Sequence, residues 1–125
     1  MIADVDRLNE VTKQIIGCAY AVSNGLGAGF LEKVYENALA HELRKSGLHA
    51  QQQQPIKVVY DGIVVGDYLG DIVVEDSVIV ELKSVKAFDN VHFAQCINYL
   101  KATGMKICLL INFGQPKIEI KRFAN

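Results

Sequence analysis

Asp71, Glu81 and Lys83 are ionisable residues in a stretch that otherwise reads as buried β-structure: Gly70-Asp71-Ile72-Val73-Val74-Glu75-Asp76-Ser77-Val78-Ile79-Val80-Glu81-Leu82-Lys83. Burying a charge is costly unless it is paired or bound to a metal. Two carboxylates and a lysine that converge can hold a divalent cation and position a water for phosphodiester hydrolysis. On the residues alone, two other readings stand beside this one. The charges could be solvated on an edge strand, or Glu81 and Lys83 could form a buried salt bridge with no further role.

Convergence depends on register. Glu81 and Lys83 are two apart on a strand and share a face. Leu82 points the other way, but its carbonyl lies between them and could be a ligand. Asp71 must reach the same face from the preceding strand. A two-residue turn at Asp76-Ser77 would pair Asp71 with Leu82 and set the carboxylate on the wrong face. A three-residue loop, Glu75-Asp76-Ser77, pairs Val74 with Val78 and Asp71 with Glu81. The three-residue loop is therefore the expected one.

The other elements follow from periodicity. Residues 4–24 carry apolar side chains at helical spacing, with Asp4 as the expected N-cap. The run Asn24-Gly25-Leu26-Gly27-Ala28-Gly29 should break that helix. A second helix is expected from about Phe30 to Ser46, stopped by Gly47. Gln51-Gln52-Gln53-Gln54 is a short polar tract followed by Pro55. Ile56 to Tyr60 reads as a strand, Asp61-Gly62 as a hairpin turn, Ile63 to Leu69 as the returning strand and Asp71 to Val74 as a third segment, with one bent strand over 63–74 as the alternative. Residues 89–103 predict a third helix ended by Gly104. On it His92, Gln95 and Tyr99 share one face by i, i+3, i+7 spacing. The unbroken apolar run Ile107 to Ile111 predicts a central strand. Strand 78–83, helix 89–103 and strand 107–111 then form a βαβ crossover. Lys117 to Phe123 is expected as a last, edge strand.

Composition bounds the function. The 125 residues are 50% hydrophobic and 22% charged, which predicts one globular domain over residues 1–125. The net charge of −1 argues against a protein that coats nucleic acid through bulk charge. It leaves room for an enzyme that meets phosphate at a metal-charged site. No signal peptide or membrane span is expected. Cys18, Cys96 and Cys108 form no zinc pattern, and a reducing, cytoplasmic location is expected for them.

Taken together, Asp71, then Glu81-Leu82-Lys83, then a helix carrying Gln95 and Tyr99, resembles the PD-(D/E)XK nuclease superfamily, especially its RecB-like branch. Gly29-Phe30-Leu31-Glu32-Lys33-Val34-Tyr35 is similar to the signature of the small GxxExxY family placed in that superfamily. Gln54-Pro55-Ile56, Tyr68 and Leu110-Ile111-Asn112-Phe113-Gly114 fit the same resemblance. One departure stands out: Gly70 precedes Asp71 where the superfamily's name has proline.

The resemblance implies an α/β, restriction-endonuclease-like core with N-terminal helices and a central mixed sheet. It implies that Asp71 and Glu81 bind Mg²⁺, for which Mn²⁺ can substitute, with the Leu82 carbonyl and Glu32 completing the shell. Lys83 would orient or activate the attacking water. Gln95 and Tyr99 would brace the site and contact substrate. Glu36, one turn after Glu32, could take the role of Glu32. The implied activity is a metal-dependent nuclease acting on DNA; the balanced charge adds the expectation that a homo-oligomer or protein partner aids substrate capture. A non-catalytic binding module on the same fold and an RNA-directed hydrolase are the alternatives.

Overall fold

The computed structural model describes residues 2–125. Among these, the chain forms three helices and five strands: α1 (Ile2–Leu26), α2 (Glu32–Lys45), β1 (Ala50–Tyr60), β2 (Ile63–Val74), β3 (Val78–Lys83), α3 (Asn90–Thr103), β4 (Ile107–Asn112) and β5 (Glu119–Ala124). The strands make one mixed sheet in the order β1-β2-β3-β4-β5. Pairing is antiparallel except between β3 and β4, which are parallel and joined through α3. This is the mixed α/β core with the expected βαβ crossover.

Two apolar layers sandwich the sheet. On one face α1 and α2 bury Ile15, Ala19, Tyr35, Leu39 and Leu43 against Ile72, Val80, Leu82 and Ile111. On the other, α3 buries Cys96, Tyr99 and Leu100 against Ile56, Ile79, Cys108 and Leu110. Covered on both sides, β4 is buried along its whole length. β3, third in the sheet, is also central, so its charged residues are not the solvated residues of an edge strand.

Several boundaries differ from expectation for identifiable reasons. Asp4 lies inside the first turn of α1 rather than at its cap, where its charge complements the helix dipole. The helix continues through Gly25 and stops at Gly27, whose φ of 71° is left-handed. β1 begins at Ala50, not Ile56, and absorbs the glutamine tract. Gln52 and Gln53 each donate a 2.6 Å hydrogen bond to the buried Glu36 carboxylate on α2, which gives this polar segment tertiary anchors. Pro55 is tolerated because β1 is an edge strand. β2 is one continuous strand, which settles 63–74 in favour of the single-strand alternative over two segments. β5 starts at Glu119, two residues later than expected.

Polar side chains fasten the loops to this frame. The buried Tyr35 hydroxyl donates to the Gly27 carbonyl (2.6 Å) and accepts from the Phe30 N–H (3.1 Å), and its ring stacks on Phe113 with centroids 4.7 Å apart. Asn112, fully buried at the end of β4, grips the segment that follows Lys83. Its Oδ1 accepts from the N–H groups of Val85 (3.0 Å) and Gly114 (2.9 Å), and its Nδ2 donates to the Val85 carbonyl (2.9 Å). Gly114 permits this approach, since a Cβ there would lie 2.2 Å from the Val85 carbonyl oxygen. Replacing Asn112 by alanine leaves three backbone groups without their partner. We expect Asn112→Ala to cost roughly 3 kcal/mol. The check is a lower urea midpoint at an unchanged slope of stability against denaturant.

Candidate active site

The β2–β3 connection is the three-residue loop that convergence requires. Glu75 and Asp76 adopt left-handed φ values of 54° and 51°, and the Ser77 N–H closes the turn on the Val74 carbonyl at 3.0 Å. The strands then pair Val74 with Val78, Val73 with Ile79 and Ile72 with Val80. The next step in this register sets Asp71 opposite Glu81. There the ladder gives way to two side-chain bonds. The Asp71 N–H donates to Glu81 Oε1 (3.0 Å), and the Leu82 N–H donates to Asp71 Oδ2 (2.8 Å). Each carboxylate is thus seated on the other's strand, in the split where β2 and β3 part.

Gly70 suits this split. A Cβ there would sit 3.8 Å from Glu81 Oε1 and 3.1 Å from Ile56 Cδ1. A side chain at the residue before Asp71 would thus press on the tip of Ile56, which would have to give way slightly.

The electrostatics are those of excess negative charge. Burial raises the Asp71 carboxyl above the usual carboxylate range; the Leu82 N–H opposes this, the charges of Glu36 and then Glu32 add to it, and Lys83 offsets part. Glu81, 2% exposed, is pushed up to about 8, first by burial and then by the charge of Asp71, against the Asp71 N–H and Lys83. Among the described residues Lys83 forms no ion pair with either carboxylate, so the expected alternative of a closed Glu81–Lys83 salt bridge does not hold. A divalent cation fits this donor set. Carboxylate oxygens are hard ligands, and the uncompensated charge is what such an ion would neutralise. Among the described residues no third His, Cys, Asp or Glu joins the two in a ready cage. An ion held here would keep several waters, as Mg²⁺ commonly does.

The remaining candidate residues take distinct positions. Glu32 is the exposed first residue of α2 and acts on Asp71 only through its charge. Glu36 is buried, bonded to Lys33, Gln52 and Gln53, and acts on Asp71 more strongly than Glu32 does. The Leu82 N–H is engaged by Asp71. Gln95 Nε2 donates to the Tyr99 hydroxyl at 2.8 Å, so these two residues are one bonded unit. The Tyr99 phenol is pushed up to about 12, by burial first and by the Glu81 charge next. His92 caps α3, its Nδ1 accepting from the Asp89 N–H at 3.0 Å.

Beside the carboxylates a cleft of about 910 Å³ opens between the β1–β2 hairpin and α3. Its wall includes Lys83, Gln95 and Tyr99 but neither Asp71 nor Glu81. Lys83 and Tyr99 connect the two, since they line the cleft and interact electrostatically with both carboxylates. Sequence reasoning did not find the Glu36–Gln52–Gln53 cluster or the Asn112 clamp. The glutamine run and the buried-strand context of Asn112 were the available signals.

The raised Glu81 carboxyl has a pH signature. Its folded-state pKa of about 8 lies above its ordinary 4.5. The stability it contributes is therefore intact below the lower value and lost as pH rises through the upper one. In metal-free protein, we expect Glu81→Gln to melt on the order of 5 °C above wild type at about pH 8.5. The gap should close as the pH is lowered towards 5 (roughly, from the linkage relation). Circular-dichroism melts in a chelator measure it.

No helix among the described residues is long and apolar enough to cross a membrane. Residues 9–123 match the family model of the PD-(D/E)XK nuclease superfamily. No curated protein matches significantly. No solved structure does so either. With the match spanning nearly the whole chain and the fold agreeing with it, the protein belongs to the PD-(D/E)XK nuclease superfamily.

Proposed function

We propose that the protein is a Mg²⁺-dependent nuclease that hydrolyses DNA phosphodiester bonds, with Mn²⁺ able to substitute. The observation that carries this reading is the reciprocal seating of Asp71 and Glu81 in the strand split, with Lys83 two residues further along β3. A binding module needs no such pair, and two adjacent like charges, Glu81 buried and Asp71 half-buried, lower stability when nothing compensates them.

In this reading Asp71 and Glu81 hold the ion, with the Leu82 carbonyl as a further donor and Glu32 completing the shell through a bound water. When bound, the ion polarises a phosphate oxygen and lowers the pKa of a coordinated water. Lys83 orients the attacking water and stabilises charge that develops on the phosphorane. Gln95 fixes the Tyr99 hydroxyl by their hydrogen bond, and together they brace the cleft side and contact substrate. Glu36, held by Lys33 and two glutamines, adds negative charge near Asp71 and favours cation uptake. The Gly29-to-Tyr35 signature supports placing the chain in the GxxExxY family, and the pattern of Asp71, Glu81-Leu82-Lys83, Gln95 and Tyr99 supports the RecB-like branch. Its tyrosine, Tyr35, fastens the glycine loop that precedes Glu32. Three buried free thiols suit a reducing cytoplasm.

The test is cleavage of labelled single- and double-stranded DNA, and of matched RNA, with Mg²⁺ or Mn²⁺. We expect metal-dependent cutting of DNA by wild type and a loss of roughly 10³-fold in an Asp71→Ala/Lys83→Ala variant. Equal cutting by both proteins would refute the assignment.

A further inference from the structure

The cleft between the β1–β2 hairpin and α3 has a composition that the metal site alone does not require. Lys83, His92, Gln95, Tyr99 and Lys101 line it together with Tyr68, and no Asp or Glu is among its described lining residues. In a chain with a net charge of −1, a wall with two lysines and no carboxylate selects for an anion. The pocket leads to Lys83, so the anion it favours is the one the site would cleave.

Tyr68 is the unusual member. It is 51% exposed on β2, paired with Ile56, and its ring leans on Tyr99 with centroids 5.8 Å apart at 50°. One edge is thereby supported while much of the ring remains open. It stands three residues before Asp71, roughly 10 Å along the strand. Exposed aromatic rings beside a basic groove are the elements from which single-strand binding surfaces are built, because every base offers a π-face. A base inside a duplex is stacked on both sides and cannot present that face. The volume points the same way. At about 910 Å³ the cleft is the size of a small-ligand pocket and has room for a few groups of one strand.

We propose that this cleft is a binding subsite for unpaired DNA, in which Tyr68 stacks on a base and Lys101 contacts the backbone phosphate. The subsite rests on the nuclease reading for its function and narrows the substrate to single strands, frayed ends or flaps. Tyr68 is a substrate-binding residue and takes no part in the chemistry. His92 contributes a further donor to the same wall. With Nδ1 accepting from the helix cap, the neutral ring carries its proton on Nε2.

The test is fluorescence anisotropy with a labelled oligonucleotide, single-stranded or annealed to its blunt complement, in chelator so that no cutting is needed. We expect the single strand to bind more tightly than the duplex. Tyr68→Ala should lower single-strand affinity roughly ten-fold or more, while Tyr68→Phe retains it. Lys101→Ala should weaken binding and reduce the slope of log affinity against log salt by about 0.7. Melting curves of the variants verify that each is folded. Equal affinity for both forms, no binding to either, or indifference to Tyr68→Ala overturns the subsite. Cleavage is scored separately with the Asp71→Ala/Lys83→Ala variant. A protein that binds single strands through Tyr68 yet never cuts supports the subsite and counts against the nuclease reading alone.

Discussion

Asp71 and Glu81 each hold their carboxylate on a backbone N–H of the opposing strand, and the rest of the site depends on that exchange. An antiparallel ladder would normally spend those N–H groups on carbonyls. Here the ladder stops at Ile72–Val80, and the freed donors fix two acidic side chains instead. The bonds do two things at once. They orient the carboxylates without a cation, and they keep two like charges close in a partly desolvated place. The strain is electrostatic, visible in the raised carboxyl of Glu81, and a divalent ion relieves it.

Holding such a pair requires stiff surroundings. β4, buried on both faces, pairs in parallel with β3 through Lys83–Asn112 and fixes the strand that carries Glu81 and Lys83. Asn112 then clamps Val85, so the chain leaves Lys83 in one direction. Tyr35 fastens the glycine loop ahead of α2, and Ser84 reaches the same loop through the Phe30 carbonyl at 3.0 Å. α2 and the segment after β3 are thus tied to one another on the side of Glu32 and Glu36. The opposite side, between the hairpin and α3, is left as a cleft. A rigid acidic centre beside an open, basic-walled cleft is the division of labour a phosphodiesterase needs.

The most consequential feature was legible from residue spacing. Alternation and the demand that Asp71 and Glu81 meet required a three-residue loop, and Glu75-Asp76-Ser77 forms one. The βαβ crossover was legible from the apolar run of β4. The glutamine tract was not. Four glutamines have no hydrophobic period, and their strand is anchored by Glu36, a long-range partner that local pattern cannot reveal. Asp4 looked like a cap because apolar spacing begins just after it, but the helix starts at Ile2. Tyr68 entered only as a feature of the family resemblance, with no role attached. Its exposure follows from β2 extending well past the end of its pairing with β3, which a strand-by-strand reading does not show.

The central claim is that Asp71 and Glu81 form a cation site whose charge is uncompensated without the ion. The most direct measurement is the melting temperature of wild type and Asp71→Asn at about pH 9, where both carboxylates of the metal-free protein are ionised, each in chelator and in excess Mg²⁺. Asparagine can still accept from the Leu82 N–H, so the variant removes charge while keeping the bond. The expected result is a crossover. In chelator Asp71→Asn melts above wild type, because one of two repelling charges is gone. In Mg²⁺ wild type gains stability and the variant gains little. A wild type that Mg²⁺ leaves unchanged, or a variant destabilised in chelator and equally stabilised by Mg²⁺, would contradict the claim.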